Sequence, residues 1–341
     1  MRKIHVLFLF VVLALEFIPL EAEAQRFTLR RRYGSIGLSM GAMNYFGDIV
    51  PEPAFTSFRF KSTRPSISLS YTYRYRPRIS FRGSYTWGRI LGDDKLSAEP
   101  QEPENWGRYW RNLSFRNDIN ELSVVTIIDL FENRNTYIRR PDFVPYGFVG
   151  IAVYHHNPKA YYENGSHPNI TEEHDIPTGW YNLQPLGTEG QYVFGGGYKS
   201  PYELFQISIP FGLGARYRLD NQWDLSLEVG WRKTFTDYLD DASADEFIAK
   251  ADLMNENNGS PNRNASVIFS DRSAEQPSDH ETLFKMSRNP DYPGVPYMHL
   301  DGFGTPGRYK RGNTADKDWY IFTGLNINYI IAPGVRGPKF R

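Results

Sequence analysis

Between Ile67 and Arg76 the side chains alternate without a break. Ile67, Leu69, Tyr71, Tyr73 and Tyr75 fall on one face, and Ser68, Ser70, Thr72, Arg74 and Arg76 on the other. Alternation with period two over this length is the mark of a strand, because successive side chains of an extended chain point to opposite faces. The following segment repeats it, with Ile79, Phe81, Tyr85 and Trp87 set against Ser80, Arg82, Ser84 and Thr86. Pro77 limits the connection between them to a tight turn.

Six further segments carry strand character. Residues 33–46 set Ile36, Leu38, Met40 and Ala42 against Ser35, Gly37, Ser39 and Gly41. Residues 119–131 set Leu122, Val124, Ile128 and Leu130 against Glu121, Ser123 and Asp129. Residues 205–219 oppose Phe205, Ile207, Ile209, Phe211, Leu213 and Tyr217 to Gln206, Ser208, Gly212, Gly214, Arg216 and Arg218. Residues 223–232 oppose Trp223, Leu225, Leu227, Val229 and Trp231 to Asp224, Ser226, Glu228 and Arg232. Residues 319–330 oppose Ile321, Thr323, Leu325, Ile327 and Tyr329 to Gly324, Asn326 and Asn328, while residues 143–154 are apolar or small on both faces.

The connections alternate in length: about 17 residues, a turn at Pro77, about 20, about 10, nearly 50, a turn at Asp220-Asn221, and nearly 80. Long and short connections therefore fall at opposite ends of the strands, as in outer-membrane barrels with short periplasmic turns and long outer loops. The expected fold is all-β: an eight-stranded antiparallel transmembrane β-barrel with long extracellular loops. Tyr73, Tyr75, Trp87, Trp223, Trp231 and Tyr329 lie near strand ends, where aromatic girdles meet lipid headgroups. The opposite face carries Arg74, Arg76, Arg82, Arg216, Arg218 and Arg232, with Glu121, Asp129, Asp224 and Glu228 to pair them. Eight strands leave an interior only wide enough for side chains, so a hydrogen-bonded ionic plug is expected in place of a pore.

The N-terminus reads as a secretory signal over residues 1–24, ahead of a barrel at 25–341. Arg2 and Lys3 precede an apolar run from Ile4 to Leu15, and Ala22-Glu23-Ala24 offers a cleavage site before Gln25. Lys+Arg and Asp+Glu both total 39, so net charge gives no case for nucleic acid. With 23 Tyr, 23 Phe and a mean hydropathy of −0.53, the mature chain favours strands without a membrane-spanning helix. No cysteine is present, which excludes a lipid-modified cysteine, disulfides and thiolate metal sites.

Candidate chemistry is sparse. His155, His156, His167 and His174 lie close in sequence, but their spacing matches no ligand pattern. Gly195-Gly196-Gly197 lacks the Lys-Ser/Thr of a phosphate cradle and reads as a loop. Asp237, Asp240 and Asp241, in Thr236-Asp237-Tyr238-Leu239-Asp240-Asp241, could supply oxygen ligands to Ca²⁺. A structural role, accepting backbone N–H groups to order the loop, is the stronger expectation. No catalytic, cofactor-binding or metal site is assigned.

Several segments together resemble a PorG-like family of Bacteroidetes outer-membrane β-barrel proteins of the type IX secretion system. They are Gly41-Ala-Met-Asn-Tyr-Phe-Gly-Asp48, Pro65-Ser-Ile-Ser-Leu-Ser-Tyr71 and Phe235-Thr-Asp-Tyr-Leu-Asp-Asp241, with Arg311-Gly-Asn313, Asp318-Trp-Tyr320 and Gly337-Pro-Lys-Phe340. The resemblance implies a non-enzymatic component of protein export, and in some bacteria of gliding, that partners a periplasmic ring of PorK and PorN proteins. It implies no cofactor and no catalytic residues. A small-solute channel, a surface receptor using the loops 157–203 and 241–317, and a soluble exported binding module are the competing expectations.

Overall fold

The computed structural model describes residues 27, 31–49, 60–98, 106–167, 170, 172–275, 286–288, 298–300, 310–315 and 317–332. The secretory signal and the basic tail Arg336 to Arg341 lie outside them. In chain order the strands are β1 (Gly34–Phe46), β2 (Arg64–Arg74), β3 (Ile79–Asp93), β4 (Ser114–Asp129), β5 (Phe143–His155), β6 (Pro158–Tyr162) and β7 (Gly179–Asn182). There follow β8 (Phe205–Arg218), β9 (Trp223–Thr234), β10 (Met286–Arg288), β11 (Met298–Leu300) and β12 (Trp319–Ile331). Eight of them close into an antiparallel barrel in the order β1-β2-β3-β4-β5-β8-β9-β12, with β12 pairing back to β1 from Gly34↔Ile331 to Phe46↔Trp319. These are the eight expected strands, the two-faced apolar segment at 143–154 included.

The alternation read from the sequence is the alternation of the wall. Leu38, Leu69, Tyr85, Leu122, Val153 and Ile207 stand side by side around it, each between 46% and 66% exposed. Their sequence neighbours Ser39, Ser68, Thr86, Glu121 and Tyr154 are buried inside. Among the described strand residues, outward charges lie only at the long-loop ends, where Arg89 pairs with Asp118 at 2.5 Å and Lys233 sits above Trp231.

Inside, arginines and carboxylates form tiers. At the short-turn end, Asp129 receives Arg74 at 3.2 Å and Arg216 at 2.5 Å. In the middle, Arg82 grips Glu228, with one bond at 3.1 Å, and the Tyr146 hydroxyl donates to the same carboxylate at 2.5 Å. Towards the long loops, Arg232 meets Glu121 at 3.2 Å, and Tyr320 donates to Glu121 at 2.7 Å. Hydroxyl rungs fill the gaps, such as Thr86 to Ser68 at 2.9 Å. Glycines make room for the rings among these tiers. A Cβ at Gly214 would lie 2.5 Å from the Tyr146 ring, and one at Gly212 2.7 Å from Phe148. Two cavities lined by these tiers measure about 20 and 10 Å³, space for about one water each. Among the described residues, the side chains of these tiers fill the barrel interior around those two cavities.

Two of the arginines expected in the lumen are elsewhere. Arg76 is exposed in the tight turn after β2, because that strand ends at Arg74 and the alternation ends with it. Arg218 sits at the short-turn rim, bound to Asp142 at 2.5 Å and to the Arg140 carbonyl at 2.9 Å. The partner of Asp224 is instead Arg140, from the turn between β4 and β5, which contacts it at 2.7 Å and caps three carbonyls of the β8–β9 turn.

The long loops fold over the other end. The hairpin β6–β7 extends the sheet beside β4, and short helices form at Asp94–Ser97, Trp106–Arg111, Lys250–Met254 and Arg263–Ser270. Asp93 and Asn262 cap two of them through their side chains. Leu239, Ile248, Leu253, Ile268 and Phe269 of the last loop pack in one cluster with Tyr162, Leu183 and Leu186. The same apolar cluster continues down to Met43, Tyr45, Ile90 and Phe115 at the barrel mouth. Phe269, 2% exposed against the Tyr162 and Tyr181 rings, tests how far this cap stands apart from the wall. Phe269→Ala is expected to cost the cap about 3–5 kcal/mol. Limited proteolysis should then cut within 235–275 while the strands stay protected; loss of the whole barrel would show that the two fold as one unit.

Candidate functional site

The junction between barrel mouth and cap gathers the segments that stood apart in the sequence. The Tyr45 hydroxyl, at the top of β1, lies within hydrogen-bonding distance of Asp240 at 2.6 Å and Asp318 at 2.8 Å. Both carboxylates are further held by backbone N–H groups, Asp240 by Ala242 at 2.9 Å and Asp318 by Leu239 at 2.8 Å. Asp48 accepts from the Asn313 N–H at 2.8 Å. Four short stretches, ending β1, following β9, preceding β12 and around Asn313, are thus tied at one place.

Two buried arginines anchor the cap around this knot. Arg311 donates to Glu189 at 2.5 Å, to Thr188 at 3.0 Å and to the carbonyls of Asp241 and Ser270. Arg111 holds Asp94 through two bonds of 2.8 Å and the carbonyls of Asp48 and Arg311. Nothing local in the sequence marked Arg111, Asp94 or Glu189, since each finds its partner across the fold.

Burial pushes the acidic groups of the knot up. Asp48 and Asp241 each rise to about 6, desolvation outweighing the neighbouring Arg111 and Arg311 respectively. Asp240 and Asp318 rise well above the ordinary carboxylate range, first through burial and then through their acidic neighbours. An ordinary unfolded Asp ionises near 3.9. Between roughly pH 4 and 6 the folded cap therefore holds protons that the unfolded loops release, and its stability falls as pH rises through 6. Buried His156, pushed down to about 4 by desolvation, works the other way below about pH 6.5. The four raised carboxyls outnumber it, so protease cleavage within 235–275 of the membrane-embedded protein is expected to be slower at pH 5 than at pH 7.5. Faster cleavage at pH 5 would contradict the assignment.

The candidate residues of the sequence separate. Asp237 accepts from Ser243 at 2.7 Å, Asp240 belongs to the knot, and Asp241 accepts from Tyr202 at 2.8 Å and Thr188 at 2.5 Å. Their donors are mainly side-chain hydroxyls, and among the described residues only Asp240 accepts the kind of backbone N–H bond expected of all three, from Ala242. His156 is buried, pushed down to about 4 by desolvation, and stacks on Tyr202. His155 packs outside on Phe205. Among the described residues no three His, Asp or Glu side chains are arranged to hold a metal ion. Gly195 and Gly197 adopt φ of +82° and +73° in an exposed turn, with open space around them.

Residues 17–179, just under half of the chain, match a family model described as a domain of unknown function, DUF6089. No curated protein matches the chain. Solved structures with a similar strand arrangement include Ail, the attachment invasion locus protein of Yersinia pestis, in complex with the heparin analogue sucrose octasulfate. It is 6% identical, covers 88% of this chain and 99% of its own, and has a TM-score of 0.34. Neisserial surface protein A is 7% identical over 87% of this chain and 96% of its own, with a TM-score of 0.33. OprG from Pseudomonas aeruginosa is 8% identical over 88% and 97%, also at 0.33. Likenesses this distant say nothing of function, and the barrel rests on its own strand pairing.

Proposed function

We propose that this chain is an outer-membrane barrel with a sealed lumen, acting as a non-enzymatic anchor in the type IX secretion machinery. The observation that carries the membrane reading is the apolar belt, which runs through all eight strands and meets ionic groups on the inner face alone until the rims. Closure leaves no open sheet edge on the eight-stranded wall, the condition for strands to cross hydrocarbon, with the β5–β8 ladder interrupted only around Pro210. On β9 the outward Trp223 and Trp231 stand eight residues apart; at about 3.3 Å per residue and about 40° of tilt they mark a band of roughly 20 Å. Small-solute conduction is disfavoured by the lumen cavities of about 20 and 10 Å³, and planar bilayers containing the protein should show no stable conductance.

The secretion reading draws on the resemblance and on the division of labour between the two ends. The short-turn end exposes Arg76, Arg78, Arg139, Phe131 and Ile138, a small mixed surface suited to a periplasmic ring of PorK and PorN lipoproteins. Affinity purification from outer membranes should bring down such lipoproteins, and Arg76→Glu with Arg139→Glu should release them. An intact ring and normal export after deletion of the gene would remove the secretion role. The membrane reading would survive that result; recovery of the chain as a monomer in detergent-free buffer would not leave it standing.

A further inference from the structure

On the outside of the barrel, at its long-loop end, the wall passes beneath an overhang. Ile321, Trp231 and Phe211 lie abreast on β12, β9 and β8, facing outward like Leu325, Leu227 and Leu213 below them. Yet Ile321 is 3% exposed, whereas Leu325, four residues further along the same face, is 47% exposed. The cover leaves a recess of about 350 Å³ against the wall. Its floor is aromatic, with Phe46, Phe211, Trp231 and Trp319, and its upper edge carries Arg108 and Lys317.

The charges of that edge are unevenly engaged. Arg111, one turn along the same short helix, uses its guanidinium on Asp94, but one Nη of Arg108 is buried without a hydrogen-bond partner. Among the described residues Lys317 makes one long ionic contact, with Asp237 at 4.0 Å, and its side chain is 48% exposed. Lys233, in the row above Trp231, adds a third cation 5.6 Å from the Trp319 ring. Two carboxyls also border the recess, Asp48 and Asp318, and both already accept hydrogen bonds within the knot. An aromatic floor level with the girdle, under a partly unspent cationic edge, is complementary to an acyl chain bearing an anionic phosphate.

We propose that this recess holds one phosphate-bearing lipid of the outer leaflet, its phosphate between Arg108 and Lys317 and its acyl chain along Trp231 and Phe211. The assignment rests on the membrane reading above and names the lipid chemistry of one site on the wall. It distinguishes a specific lipid from the bulk annulus, because the other outward arginines of the long-loop end are engaged, Arg89 by Asp118 at 2.5 Å and Arg116 over the Trp180 ring.

The test uses the full mature protein, refolded into dodecylmaltoside micelles containing either monophosphoryl lipid A or phosphatidylethanolamine, and read by native mass spectrometry. The wild type should retain one lipid A and release phosphatidylethanolamine. Arg108→Gln/Lys317→Gln should weaken lipid A retention by about tenfold or more, the loss of two charge-assisted contacts. Arg116→Gln, whose guanidinium lies 3.9 Å over the Trp180 ring away from the recess, should leave it unchanged. Heat-modifiable migration on gels reports that each variant is folded. Equal retention of the two lipids by the wild type, or undiminished lipid A on the folded double variant, would overturn the proposal. Failure of the protein to insert into lipid vesicles at all would instead strike the membrane reading, so the two failures are separable.

Discussion

Leu227→Arg is expected to abolish assembly into the outer membrane, while Ser226→Thr, one residue away, leaves it near wild type. Leu227 is 56% exposed, in the middle of the belt, between Leu325 on β12 and Ala215 on β8. An arginine at the midplane of a barrel wall costs about 2–4 kcal/mol, comparable to a large part of a domain's net stability. Ser226 points inward, is 4% exposed and accepts from Asn328 at 3.2 Å. It borders the cavity of about 20 Å³, so a threonine keeps the hydroxyl and adds one methyl beside free space. Heat-modifiability in isolated membranes and the fraction folded into lipid vesicles measure both variants. Comparable membrane levels would mean that the register, and with it the lipid face, is misassigned.

The second large effect concerns the ionic plug. Glu228→Leu is expected to destabilise the barrel by about 3–5 kcal/mol, because it leaves Arg82 charged, buried and without its partner. Arg82 and Tyr146 both spend their bonds on that carboxylate. Replacing the three together, as Arg82→Met/Glu228→Leu/Tyr146→Phe, removes the charge and both donors at once and should return the stability to within about 1 kcal/mol of wild type or above it. Urea unfolding midpoints of the refolded proteins in lipid vesicles decide the matter. A single variant as stable as wild type would mean that water reaches Arg82, and that the lumen is wetter than its cavities of about 20 and 10 Å³ allow.

The family resemblance acquires a physical sense in the knot. Gly41 to Asp48, Phe235 to Asp241, Arg311 to Asn313 and Asp318 to Tyr320 are far apart in the chain, yet Tyr45, Asp48, Asp240, Arg311 and Asp318 meet at the barrel mouth. Four of the six segments that carried the resemblance therefore share the joint between wall and cap, while Pro65 to Tyr71 lies in the wall on β2 and Gly337 to Phe340 lies outside the described residues. Asp48, Asn313 and Asp318 of that joint also line the recess beside Trp231 and Trp319.

The sequence by itself did not place the strand ends, since β4 begins at Ser114 and β2 stops at Arg74, but it determined the eight strands, their faces and which connections are long. Each of those is a local property: alternation with period two acts over a few residues, and the lengths of the connections are simply counted. It also determined which ions face inward, with errors at Arg76 and Arg218, where the strand stops and alternation loses its meaning. Which arginine meets which carboxylate was decided only in three dimensions. Arg140 reaches Asp224 from a turn 84 residues away, and the pairing depends on the stagger of a closed wall, which no single strand encodes. The cap belongs to the same class. Arg111, Asp94, Glu189 and Arg311 lie in the polar connections between barrel strands, where no periodicity marks them, and they are buried in a cap whose apolar cluster joins Phe269, Leu253 and Tyr162 from distant segments. Local pattern specifies an element, but a charge becomes buried only when distant chain segments close around it.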